Sequence, residues 1–263
     1  MARTTAKISE PDKSAPENSP DVAPSQPARD GTLSWRIIRQ IRAMLFAGEL
    51  KTGERLGGEI ELARRYGVSR MAIRDALRSL EAAGIVEIRV GAKGGTYIAG
   101  GNIERFADAL AIQLKLIGVT VAEIFDAQIA IEVTSTELAA LRADESDLRG
   151  LRDILRGQRE HRQSKTQFTD LSLRFHESVV AASHNRALIA QFKALRFVLE
   201  PLYARWLNDD VAARVIASNT ALLARIEARD AEGARALMHR RLQIIRARQL
   251  TAAENDRATA EPA

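Results

Sequence analysis

No cysteine occurs in the 263 residues of this chain. That absence excludes disulfide scaffolds, thiolate metal sites and cysteine nucleophiles together. No apolar run approaches the roughly 18 residues that a membrane span needs. The opening MARTTAKISEPDKS also lacks the apolar stretch of a secretory signal. The expectation is a cytoplasmic protein with no membrane partner. Proline is nearly missing from the body of the chain: five of the seven fall at Pro11, Pro16, Pro20, Pro24 and Pro27, and the others are Pro201 and Pro262. The interval from Ala28 to Glu200 contains none, which suits long helices.

What is present is unevenly spread. Residues 1–30 are rich in Pro, Ser, Ala and Asp and bury too little apolar surface to fold, so they are expected to be a disordered tail. The formal net charge is +5, and residues 31–101 alone carry 12 basic against 7 acidic groups. Residues 102–250 carry 22 against 19, and residues 251–263, a second expected disordered tail, carry 1 against 3. The densest basic excess therefore sits in one short segment, where a polyanion partner is sought first.

Within that segment Leu33, Ile37, Ile41, Met44 and Leu45 recur at helical spacing. A shorter helix is expected over Glu59–Tyr66, ended by Gly67. A third begins at Ser69, a suitable N-cap, with Met71, Ile73, Ala76, Leu77 and Leu80 as its apolar face and Gly84 at its end. IVEIRV and TYIA then alternate like two short strands around an AKGG turn. Three helices followed by a hairpin is the winged helix-turn-helix plan, which projects one helix into a DNA major groove. That helix offers Ser69, Arg70 and Arg74, the arginines four residues apart on one face. Arginine matches guanine bidentately, and serine with helix N-terminal amides suits a phosphate. Lys93, Gly94 and Gly95 in the wing allow close approach to the duplex.

The stretch GELKTGERLGGEIELARRYGVSRMAIRDALRSLEAAGIVEIRVGAKGGTYI resembles the DNA-binding domain of GntR-type bacterial regulators. The resemblance implies that Ser69, Arg70, Arg74 and the wing glycines contact an operator. It also marks a departure, because Ile60 stands where relatives often carry a DNA-contacting arginine.

Residues 102–250 show six or seven helical stretches, expected to form an antiparallel bundle. No phosphate-binding glycine loop, HExxH motif or nucleophile elbow occurs, so no enzyme is expected. IAIEVTSTELAAL, LRFHESVVAASHNRAL and RDAEGARALMHRRL resemble the signature stretches of the FCD effector domain of the FadR subfamily. That resemblance implies a homodimer and a pocket for an acidic or acyl metabolite. In many relatives the pocket holds a divalent metal through one Asp and three His; here those positions are Ser172, His176, Asn219 and Arg241. Ser and Asn are weak neutral donors and Arg has no lone pair to give, so neither a metal nor another cofactor is expected. Two alternatives remain for the pocket. Arg241 binds a carboxylate or fatty-acyl effector directly, with the other three residues as hydrogen-bonding neighbours, or it pairs with an acid such as Glu132 in a vestigial site.

The chain is accordingly expected to be a mainly α protein, with a winged helix-turn-helix over 31–101 and a helical effector-binding and dimerisation domain over 102–250. The expected function is a ligand-modulated transcriptional repressor that binds double-stranded operator DNA. The alternative is an architectural DNA-binding protein indifferent to any effector.

Overall fold

A computed structural model of the chain describes residues 32–91, 94–204 and 208–260. The expected tail over 1–30, and Lys93 of the wing, lie outside the described residues. The chain divides after Gly101 into two compact units.

The first unit is built from α1 (Leu33–Phe46), β1 (Arg55–Gly57), α2 (Glu59–Tyr66), α3 (Arg70–Ala82), β2 (Val86–Arg89) and β3 (Gly95–Ile98). Each helix start has a local cause. Thr32 and Ser69 accept the Trp35 and Ala72 amides at 3.3 and 3.2 Å, and Glu61 folds back to accept the Gly58 amide at 3.3 Å. α2 ends at Gly67, whose φ of 63° is left-handed and favours glycine. The inner faces meet in one core containing Ile37, Ile41, Leu62, Ile73, Leu77, Leu80, Val86 and Ile98.

The expected two-stranded hairpin is part of a three-stranded antiparallel sheet in the order β1-β3-β2. β1 is three residues long, too short to show alternation, and only its pairing with β3 makes it a strand. Its Leu56 closes the core from the side.

The second unit contains α4 (Ile103–Leu116), α5 (Val121–Arg142), α6 (Glu145–Glu160), α7 (Lys165–Ala181), α8 (Arg186–Ala204), α9 (Asp209–Glu227) and α10 (Ala231–Ala260). α5 opens with a complete capping box: Thr120 donates its amide to Glu123 at 2.8 Å, and the Glu123 amide returns to Thr120 Oγ1 at 3.2 Å. It then packs against α7, α8, α9 and α10. Being covered on several sides, it buries polar Gln128, Glu132, Ser135 and Thr136 as well as Phe125 and Ile131. Two apolar clusters flank it, one around Leu151, Phe175, Val179, Ile226, Met238 and Leu242, the other around Phe125, Leu173, Phe192, Leu195 and Leu199.

α10 corrects one expectation, because the chain does not leave helical structure at Leu250 but continues to Ala260. The segment after Leu250 is rich in alanine with Glu and Arg among it, all good helix formers, and contains no breaker before Pro262. Among the described residues, no helix is long and apolar enough to cross a membrane.

Candidate nucleic-acid interface and candidate effector pocket

In the first unit, four buried side chains (Ile73, Ala76, Leu77 and Leu80) fix which way α3 faces. At about 100° per residue, the opposite side carries Met71, Asp75 and Arg78, while Arg74 and Arg70 lie on one flank of the helix. Ser69 and Arg70 are exposed, with the Ser69 hydroxyl committed to the Ala72 amide. Arg74 is engaged bidentately by Glu59 of α2: its Nε donates to Oε1 at 3.0 Å and its Nη2 to Oε2 at 2.8 Å. Hydrogen bonding from Arg74 holds the Glu59 carboxyl below its ordinary value, against a smaller opposing effect of burial. Two of the five guanidinium N–H donors are spent on this pairing, which fixes the orientation of the fork.

In the wing, a Cβ on Gly94 would lie 2.6 Å from the Arg89 carbonyl oxygen, and Gly95 has a φ of 137°. Both positions require glycine for the turn itself. Beside them the Arg89 guanidinium stacks 4.2 Å from the centroid of the Tyr97 ring.

The second unit assembles its polar centre from four helices. Arg241 of α10 is 9% exposed and donates through Nη1 to Asn219 Oδ1 of α9. Asn219 Nδ2 donates to Gln158 Oε1 of α6 at 3.0 Å, Gln158 Nε2 to Ser172 Oγ of α7 at 3.3 Å, and Ser172 Oγ to the Phe168 carbonyl at 2.8 Å. Ser172, Asn219 and Arg241 therefore form one chain of hydrogen bonds through Gln158, a residue that the sequence did not single out.

His176 belongs to a neighbouring set. Its Nδ1 bonds Glu132 Oε2, while Glu132 Oε1 accepts Gln128 Nε2 at 2.5 Å. Gln128 Nε2 also donates to the Tyr203 hydroxyl at 2.8 Å, and the Tyr203 ring stands edge-on to His176 at 6.0 Å between centroids. Burial raises the Tyr203 hydroxyl well above its ordinary pKa, and the nearby Glu132 adds to the effect. Glu132 is thus held by His176 and Gln128. Among the described residues no carboxylate forms an ion pair with Arg241, which sets aside a pairing with Glu132. Burial pulls the Arg241 guanidinium below its usual value, and Tyr203 and Glu132 oppose that pull. An arginine keeps its charge even so, which leaves a buried cation tied to a neutral amide.

That cation faces a small cavity of about 50 Å³, lined by Phe168, Thr169, Ser172, Tyr203 and Arg241 with Val215 and Ile245. Two larger hollows, of about 280 and 430 Å³, share Val211, Val215 and Ile245 with it and are flanked by Arg214 and Arg248. Among the described residues, buried Thr169 Oγ1 and His176 Nε2 have no hydrogen-bond partner. The four positions do not fit a metal here: Asn219 Oδ1 is occupied by a guanidinium, Ser172 Oγ already accepts from Gln158, and Arg241 is a cation with no lone pair to give. A surface group, Asp144, Asp147 and His184, lies close enough together to share a cation. Its members are already engaged, as the two aspartates cap α6 reciprocally at 2.9 Å and His184 bonds Asp147 at 2.8 Å.

A capped helix projecting from a helix-turn-helix with a wing, joined to a helical bundle, defines the class of two-domain bacterial regulators. Residues 33–98 match the family described as bacterial regulatory proteins, gntR family, and residues 123–244 match the FCD domain. The chain therefore carries a GntR-type DNA-binding domain followed by an FCD domain. It is similar to the HTH-type transcriptional regulator LutR of Bacillus subtilis, with 30% identity over 55% of this chain and 65% of LutR. It is also similar to the galactonate operon transcriptional repressor of Escherichia coli, with 25% identity over 66% of this chain and 78% of that protein. The chain spans just under two thirds of the length of the first curated relatives that it matches. Among solved structures, Streptococcus agalactiae GntR has the same fold, with a TM-score of 0.58 and 19% identity over 81% of this chain and 98% of that one.

Proposed function

We propose that this chain is a cytoplasmic, homodimeric transcriptional repressor whose affinity for operator DNA changes when a small acid binds in the helical unit, without a metal. Ser69, Arg70 and Arg74 of α3, with Lys93, Gly94 and Gly95 of the wing, meet the duplex. Two such heads address successive major grooves of a near-palindromic site. Arg241 takes the acid group of the effector as a charge-assisted partner. Asn219 holds the guanidinium in place and links it through Gln158 to Ser172, Tyr203 borders the same space, and His176 stands behind the Tyr203 ring. The confluent hollows along Val211, Val215 and Ile245 accept an apolar or acyl body.

One observation carries the reading: a guanidinium is buried beside a cavity, bonded to a neutral amide and, among the described residues, in no ion pair, although Glu132 is near enough to act on it. A folded protein bears the cost of such a charge most readily where a ligand completes it. The naming of a relative as a galactonate operon repressor agrees with an acid effector and with repression.

Footprinting of the purified full chain across genomic DNA, with and without a panel of short, hydroxylated and fatty carboxylic acids, tests this. The expected outcome is a set of discrete two-fold sites whose affinity shifts on addition of one acid by a factor corresponding to about 1–3 kcal/mol. Uniform coverage that no acid alters would support the architectural alternative. Calorimetry with Zn²⁺ and Ni²⁺ supplies the second check, and tight stoichiometric binding would overturn the metal-free assignment.

A further inference from the structure

The outermost line of α3 is not wholly polar. Met71 lies nearly opposite the buried Ile73, Ala76, Leu77 and Leu80 and is 62% exposed, with Arg70 beside it and Arg74 one turn further on. A single exposed apolar side chain is common on protein surfaces. What distinguishes Met71 is its position as the second residue of the helix, in the first turn, where a docked helix-turn-helix meets base edges. In the major groove each base pair presents donors and acceptors, and the only apolar group is the C5-methyl of thymine. A thioether there has two options, water or that methyl. It is flexible and polarisable enough to close on it while Arg70 or Arg74 takes a neighbouring guanine.

We propose that Met71 is a specificity-determining residue that packs on a thymine methyl and so selects thymine at one position of each half-site. This rests on the DNA-binding reading given under Proposed function. Ile60, next to the Glu59 that holds Arg74, is also exposed, at 58%. It sits on α2, outside the projecting helix, and is the rival apolar contact that the test must separate from Met71.

The test begins with duplexes enriched by the full chain from a randomised library. Each thymine of an enriched duplex is then replaced singly by uracil, which removes one methyl and leaves every donor and acceptor in place. For the wild type, uracil at one half-site position is expected to weaken binding by about fourfold, the value of one buried methylene-sized group. Met71→Ala is expected to bind the thymine and uracil duplexes equally, at the wild-type affinity for uracil, and Met71→Leu to keep the preference. The exposed site leaves folding undisturbed, which thermal unfolding verifies. Equal wild-type affinity for both duplexes at every position overturns the inference. So does a preference that survives Met71→Ala, or one abolished only by Ile60→Ala. Failure to enrich any sequence overturns the DNA-binding reading itself, and the inference with it.

Discussion

The two units treat arginine in opposite ways. In the first, Arg70 is exposed and Arg74 is held at the surface by a carboxylate that solvent also reaches. In the second, Arg241 is buried, is held by the neutral side chain of Asn219, and has no anion paired with it among the described residues. A surface guanidinium costs little to keep and is free to change partners. A buried one carries a desolvation penalty that only a well-placed partner offsets. On the proposed function, the contrast puts the ligand of the first unit on its outer face and that of the second in its interior.

Breaking the interior side has the largest expected effect. Glu132→Ala strips the buried partner from His176 and Gln128 and is expected to destabilise the fold by about 3–5 kcal/mol in urea unfolding. A change near zero would mean that water fills the site. Arg241→Met keeps the volume and removes the charge. The acid that shifts operator binding is expected to bind about 1.5–3 kcal/mol more weakly to this variant by calorimetry, with operator affinity in its absence unchanged.

The surface side responds in binding, with little effect on folding. Arg74→Ala is expected to cost about 1–3 kcal/mol on an operator in which it reads a guanine. Its unfolding free energy should change by less than about 1 kcal/mol, because the Glu59 pair is partly solvated. An equal loss on random duplex would reduce Arg74 to a phosphate contact. Ser69→Ala removes the cap of α3 and is expected to lower stability by about 1 kcal/mol, the one substitution on this face that acts chiefly through folding.

The smallest effect is a pH dependence. The folded-state pKa of Glu59 lies below its ordinary 4.5 because Arg74 donates to it. Its contribution is therefore complete above that value and fades as the pH falls through the folded-state pKa. The stability gap between wild type and Glu59→Gln should close in acid, from at most about 1 kcal/mol near neutrality.

Legibility followed the same division. The α3 stripe of Ile73, Ala76, Leu77 and Leu80, its Ser69 cap and the Gly67 stop lie within one short segment, and the order of helices and wing could be read from such local signals. Met71, expected on that stripe, lies exposed on the far side instead, because it is off the 3–4 spacing of the other four. β1 escapes because three residues carry no period, and the extension of α10 escapes because a segment with so little apolar surface reads as disorder. In the pocket, Ser172, Asn219 and Arg241 were identified, but Gln158, which links them, was not. The one available hint was polar Gln128, Glu132, Ser135 and Thr136 on a helix that is apolar on several sides, a pattern that implies buried polar chemistry without naming its partners.

What the chain order determined alone is therefore the local part. Helical period, caps and glycine stops set the elements, and the basic excess of residues 31–101 marks the segment where a polyanion partner is expected. What only the tertiary structure decided is which polar groups meet. Arg241 joins Asn219 while Glu132 joins His176, and Arg74 is braced by a carboxylate fifteen positions away. The reason is physical: a capping bond spans three residues of one chain segment, whereas these partners lie on different helices. Only packing of those helices brings them within 3 Å of each other, and the low dielectric it creates makes the choice of partner matter.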